Sequence, residues 1–279
     1  MKKNLNFISV FFLFGICLNA QDNIKNSVAE NFLPKLNRIF ELQLEAMKIH
    51  PMFGQVYPVA ITEEGQLYIF EPDENNYRLI KQAQVTGTIA KGIRAAYPLA
   101  ENDYKMTCVV TPDVFDSLEG YAIIFHEFVH CAVYNIEMKL KENLEIYKSA
   151  MEKKDWMWEL SFPFPYTKKE FVEAYNLFLN ALNKTNLETA IELHKKMKSI
   201  LSKDEYSYLT WVEWKEGFAR WIENKIRNKF GLKENHAGKD LPFDRVTFYE
   251  GGSGFIDLIS KSSPAIILDF EKLYNVICK

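Results

Sequence analysis

The run Ile123-Ile124-Phe125-His126-Glu127-Phe128-Val129-His130-Cys131-Ala132 sets two histidines four positions apart, with a glutamate directly after the first. On a helix, positions i and i+4 share a face one turn apart. Both imidazoles can therefore reach one Zn2+ at the usual bond length of about 2.0–2.1 Å. Glu127 can then stand beside the cation without binding it, where its carboxylate can accept a proton from an activated water. Phe125, Phe128, Val129 and Ala132 carry no charge, so the helix should be largely buried. Two histidines and a glutamate are costly there unless partnered. A metal is one such partner; hydrogen bonding between ordinary core histidines is the other. With only five His in the chain, chance supplies about 0.008 matches to H-E-x-x-H, which favours the metal.

A catalytic zinc normally has three protein ligands and one open position. No third histidine follows at short spacing, since His130 leads into Cys131-Ala132-Val133-Tyr134-Asn135. A carboxylate must complete the set. The segment from Thr210 to Glu223 offers Glu213, Glu216 and Glu223, which with Arg220 fall near one helical face. Glu216 is the preferred ligand: Gly217 and Ala219 would let its helix approach the first one closely, and Arg220 could orient it. Glu213 and Glu223 remain rivals. The competing reading is a solvated charged face whose surface ion pairs contribute little.

Together the two segments resemble the gluzincin zinc metallopeptidases of the peptidase MA-like superfamily. There H-E-x-x-H on one helix is followed by a W-x-x-E-G-x-A-x-Y/W-x-E-like segment on a later one. This chain carries Trp214-Lys215-Glu216-Gly217-Phe218-Ala219-Arg220-Trp221-Ile222-Glu223, one residue tighter after the Trp. Tyr249-Glu250-Gly251-Gly252-Ser253-Gly254-Phe255-Ile256 is similar to a further family pattern, a Tyr before an apolar helix near the C-terminus. The resemblance implies one zinc ion on His126, His130 and Glu216, with Glu127 as general base in the hydrolysis of peptide bonds. A peptide or protein is then the substrate. Tyr249, His236 and Arg245 are candidates for the donor that steadies the oxyanion, and Tyr249 is taken as the catalytic one. The implied fold is α+β and zincin-like: mostly helical, with a small N-terminal β-sheet packed against the H-E-x-x-H helix. By analogy, the strand at 107–110 would pair with an extended substrate.

Other elements must position these residues. Residues 24–48 read as a helix, kinked or begun at Pro34. Whether it belongs to the domain or inhibits it is open, and the domain is preferred. Residues 55–61 and 66–71 read as strands around Glu63-Glu64-Gly65, and 105–110 as another; 84–98 is ambiguous. Asp116 with Glu119 suggests a capping box before a helix over 121–134, with a further helix over 136–153. Ser161 to Tyr166 contains two prolines and must be a loop. Thr167/Glu170, Thr185/Glu188 and Ser202/Glu205 repeat the capping signature, so 168–229 reads as three helices. Glu250 to Gly254 reads as a Gly-rich turn before closing helices over 255–277. The aromatics Trp156, Trp158, Phe162, Phe164 and Tyr166 are either core or a substrate-facing lid. The long gap between His130 and Glu216 is read as a helical insertion at about 136–203 within a single domain over 21–279.

Composition sets outer bounds. With 48% hydrophobic and 25% charged residues, the chain is a folded globular protein rather than a disordered one. A net charge of −3 offers no basic surface for nucleic acid. Met1-Lys2-Lys3, the apolar stretch Leu5 to Leu18, and Leu18-Asn19-Ala20 read as a signal peptide cleaved after Ala20, which implies a secreted or periplasmic protein. That stretch is shorter than the roughly 20 residues a membrane span needs, and no later run is long enough, so the mature chain is expected to have no span. Ile16 before Cys17 argues against a lipoprotein signal. Cys108, Cys131 and Cys278 are an odd set, which excludes a full disulfide framework; a Cys108–Cys131 bridge stays open, with Cys131 otherwise a core residue. Two other functions compete with the peptidase: a non-catalytic exported binding protein with a structural or vestigial metal site, and a metallohydrolase of a non-peptide amide or ester.

Overall fold

In a computed structural model, residues 30–85 and 92–279 are described. The expected signal peptide, the first turns of the expected first helix and part of the ambiguous stretch lie outside them. Described from residue 30, the first helix, α1 (30–47), runs through Pro34. It buries Phe32, Leu36, Ile39 and Ala46 in the main core, so it is an integral part of the domain. Five strands follow: β1 (Val59–Glu63), β2 (Gln66–Asp73), β3 (Asn76–Gln84), β4 (Arg94–Leu99) and β5 (Lys105–Val110). The β1–β2 hairpin turns through Glu64 and Gly65, both at positive φ, as a tight two-residue hairpin loop requires.

The sheet order is β3-β2-β1-β5-β4, with β1 and β5 parallel and the other pairs antiparallel. Side chains alternate faces along a strand. Val59 and Ile61 of β1 accordingly join the main core, and Ala60 joins a smaller cluster with Leu67, Ile69, Leu99 and Val109 on the other face. β5 is therefore an inner strand, hydrogen-bonded on both sides. It has no free edge for a substrate, contrary to the expectation for 107–110; the edge next to it is β4. Of β3, only Tyr77 is buried, so this edge strand left no apolar alternation in the sequence.

Helices α2 (Leu118–Lys141), α3 (Glu145–Glu152), α4 (Trp158–Ser161), α5 (Lys169–Asn183), α6 (Leu187–Ile200), α7 (Lys203–Lys229), α8 (Val246–Ser262) and α9 (Phe270–Ile277) complete the chain. α2 runs unbroken for 24 residues, so the expected break at 135 falls at 142–144 instead and the expected helix over 136–153 is divided between the end of α2 and α3. Its N-cap is Ser117, whose hydroxyl accepts from the Gly120 amide, rather than Asp116. The Ser202/Glu205 capping box is present in both halves. The other two expected boxes are absent: Lys168 caps α5 without a side-chain bond, and Asn186 caps α6. The expected turn at Glu250 to Gly254 lies inside α8. Those glycines serve helix packing. A Cβ on Gly252 would lie 2.2 Å from the Glu213 carbonyl oxygen, and one on Gly217 would lie 2.6 Å from the Gly252 Cα. Gly217 thus faces α8, not α2 as its expected role required.

α2 lies between sheet and helices. Phe125 packs edge-on to Phe53, and Phe128 to Tyr57, while the histidine face turns toward α7. The three described cysteines are free, with Cys108 and Cys131 buried. Among the described residues, no helix is long and apolar enough to cross a membrane.

Candidate metal centre

His126, Glu127 and His130 stand on consecutive turns of α2, each less than 8% exposed. Burying such groups without partners costs several kcal/mol or more, and α7 supplies carboxylate partners to the two histidines. Glu216 Oε2 lies 3.6 Å from His126 Nε2 and 3.4 Å from His130 Nε2. Glu223, two turns later on the same face, sets its Oε2 3.1 Å from His126 Nδ1. The opposite nitrogen of that ring is thereby directed at Glu216 and His130.

The spacing of the three donors tests whether a cation fits. Two ligands at about 2.0–2.1 Å from a tetrahedral zinc stand about 3.4 Å apart. The two His–Glu separations match that edge length, and the three donor atoms lie within 4.8 Å of one another. This buried group could therefore hold a metal ion. Of the two alternatives at sequence level, Glu223 takes the outer position behind His126. Glu213 turns away: His194 Nε2 lies 2.6 Å from its Oε2, and the Tyr175 hydroxyl donates to its Oε1 at 2.8 Å.

Electrostatics bind the cluster together. Burial alone would push the Glu216 carboxyl up, but His130, His126 and Arg245 outweigh it and hold the carboxyl well below the usual range. Burial would likewise push His126 down, yet its bonds to Glu216 and Glu223 raise it to about 10, so a cation binding there must displace the Nε2 proton and leave Nδ1–H donating to Glu223. Burial pushes the Glu127 carboxyl up, only partly offset by the two histidines. Of the three neutral or basic groups expected near the site, α8 and the N-cap residue before it deliver two. Arg245 places Nη2 3.1 Å from Glu216 Oε1 and donates from Nη1 to the Tyr249 hydroxyl. The Tyr249 ring stacks on His126 with centroids 6.4 Å apart. His236 is elsewhere, paired with Glu250 at 2.9 Å beside a different cavity. Arg220, expected to orient Glu216, instead reaches Glu223 and the carbonyls of Asn235 and Ala237.

The group opens into a cavity of about 710 Å³ lined by His126, Glu127, His130, Glu216, Arg245 and Tyr249, with β4 along one wall. Lys215, Glu137 and Glu159 also line it, and sequence reasoning assigned them no role. Lys215 Nζ sits 3.0 Å from Glu137 and 2.8 Å from Glu159. Only the i+7 step from His130 to Glu137, which keeps one helical face, hinted at this cluster. No family model, curated protein or solved structure matches the chain.

Proposed function

We propose that the chain is an exported zinc-dependent peptidase in which His126, His130 and Glu216 hold the cation and Glu127 is the general base. The observation that carries this reading is the pair of His–Glu separations, 3.6 and 3.4 Å, inside a cavity that Glu127 also lines. When bound, zinc supplies Lewis acidity, polarising a carbonyl and acidifying water. Glu127, raised by burial, takes the proton from the attacking water and returns it to the departing amine. The Tyr249 hydroxyl accepts from Arg245, so its own proton is free to point into the cavity at the developing oxyanion. Glu223 holds His126 in one tautomer and orientation.

A peptide substrate is favoured over a small amide or ester by β4. Among the described residues this strand pairs with β5 on one side only, and Ala95, Ala96 and Tyr97 line the cavity. Its other edge offers backbone groups to an extended chain, the usual mode of strand addition.

The test joins metal analysis to turnover. Purified protein should contain one zinc per chain, and chelation should abolish cleavage of an unbiased peptide mixture. Glu127→Gln should keep the zinc while losing about 10²–10⁴-fold in kcat, the usual worth of a general base. A Glu127→Gln protein cleaving at the parent rate would end the mechanism. Stoichiometric zinc retained in Glu216→Ala would remove Glu216 from the ligand set.

A further inference from the structure

The cavity extends beyond the metal group, past Tyr134 and Met138 on the later turns of α2, to Tyr147 and Met151 on α3 and to the segment at 155–161. That segment splits the aromatic run noted in the sequence. Trp158 and Phe164 turn into the core, at 5% and 6% exposure. Trp156, Met157 and Leu160 do the opposite, at 74%, 59% and 63%. Single exposed apolar side chains are ordinary on a protein surface. Three within five positions, all on the rim of one cavity, are a patch of the kind that marks a binding site.

The display is built rather than loose. Asp155 accepts from the Met157 amide at 3.0 Å and from the Ser161 hydroxyl at 2.8 Å. The Glu159 carbonyl accepts from the Tyr208 hydroxyl at 2.7 Å and from Arg245 Nε at 3.1 Å. With Trp158 buried and Glu159 tethered, the side chains at 156, 157 and 160 are fixed facing out. The same tether ties the segment to Arg245, and so to Glu216. Most of the charges nearby are matched: Lys215 with Glu137 and Glu159, and Arg94 with Asp113 at 2.7 Å. Among the described residues, the cation left without a carboxylate there is Lys141, which lies over the Tyr147 ring at 5.3 Å, while Met and aromatic walls adapt to varied apolar shapes.

We infer that Trp156, Met157 and Leu160 form a subsite for one large apolar side chain (Leu, Met or Phe) of the peptide substrate. The inference rests on the peptidase reading. The probes are fluorescein-labelled Gly/Ser decapeptides carrying a single Leu or Phe, or a single Asp, which can slide until that residue meets the subsite. Binding is read by anisotropy on zinc-loaded Glu127→Gln protein, so it does not depend on turnover. The Leu and Phe peptides should bind at least about tenfold more tightly than the Asp peptide, as a pocket contact of this size allows. A Trp156→Ser/Met157→Ser/Leu160→Ser change in that background should shrink the preference to about twofold, with zinc content and Tm unchanged because all three side chains are exposed. In the parent enzyme the triple change should raise KM for the Leu peptide and leave kcat nearly constant, the mark of lost uniform binding. No apolar preference, no binding, or a preference that survives the triple change overturns the subsite. Preferential binding without hydrolysis by the parent leaves the subsite standing and overturns the peptidase.

Discussion

At His126 the two ring nitrogens have different partners: Nε2 looks to Glu216 and His130, and Nδ1 to Glu223. Such outer carboxylates typically contribute 10–100-fold to metal affinity by fixing the tautomer and raising ligand basicity. On the zinc reading, Glu223→Gln should therefore weaken zinc binding by about tenfold or more, measured by competition against a chelating dye, and should also lower the melting temperature because buried Arg220 loses its counter-charge. Unaltered affinity would show that the 3.1 Å contact does not act on the metal. The sequence placed Glu216 and Glu223 on one face of α7 by spacing alone, because a helix is regular enough for offsets to become directions. Glu216 was preferred there as the residue to meet the imidazoles, and the structure groups it with both histidines; that Glu223 would stand behind His126 was not foreseen. The arginine beside Glu216 was misread as well. Arg220 is close in sequence but extends to the loop at 235–237, while Arg245 arrives from a helix whose position only tertiary packing fixes.

Helix α8 is the element that brings Arg245 and Tyr249 over the site, and its seat is a glycine contact. Gly217 on α7 and Gly252 on α8 meet backbone to backbone, leaving no room for a methyl group. Gly252→Ala must push the two helices apart, at a cost of about 1–3 kcal/mol or more. For a chain of this size that lowers Tm by about 2–4 °C per kcal/mol. The same displacement should weaken zinc binding, because Arg245 moves away from Glu216. A thermal melt with the parent Tm would show that the crossing can relax. In the sequence these glycines looked like a turn, since clustered glycines usually break a helix; packing against Glu213 and Gly217 reverses that local preference. The capping signals divide similarly. Ser202 and Glu205 close a full box, whereas α5 and α6 are capped one residue later than Thr167 and Thr185 would place them, at Lys168 and at Asn186.

Across the whole molecule, the order of α5, α6 and α7 and the β1–β2 hairpin were readable, because long periodic segments and a two-residue turn are set locally. β3 and β4 were not. As edge strands they bury little, so the alternation that identifies a strand is weak in them, and β4 is the strand that walls the cavity. Acid stability belongs at this scale too. Burial would push the Asp257 carboxyl up, but Lys225, Lys261 and the Trp221 indole outweigh it and hold it below its ordinary value near 4. A lowered folded pKa stabilises above the unfolded value, and that contribution disappears as pH falls through the folded one. Urea midpoints followed from about pH 6 down to pH 2.5 should therefore fall less steeply in Asp257→Asn than in the parent; parallel curves would remove Asp257 from the acid response. Lastly, the two imidazoles and the carboxylate that completes them come from α2 and α7, with four helices of chain between. Until α7 has docked, a partly folded molecule has two of the three donors that could hold a metal ion and no closed cavity. On the peptidase reading, hydrolysis would thus be withheld from every incomplete form, with tertiary assembly itself as the switch.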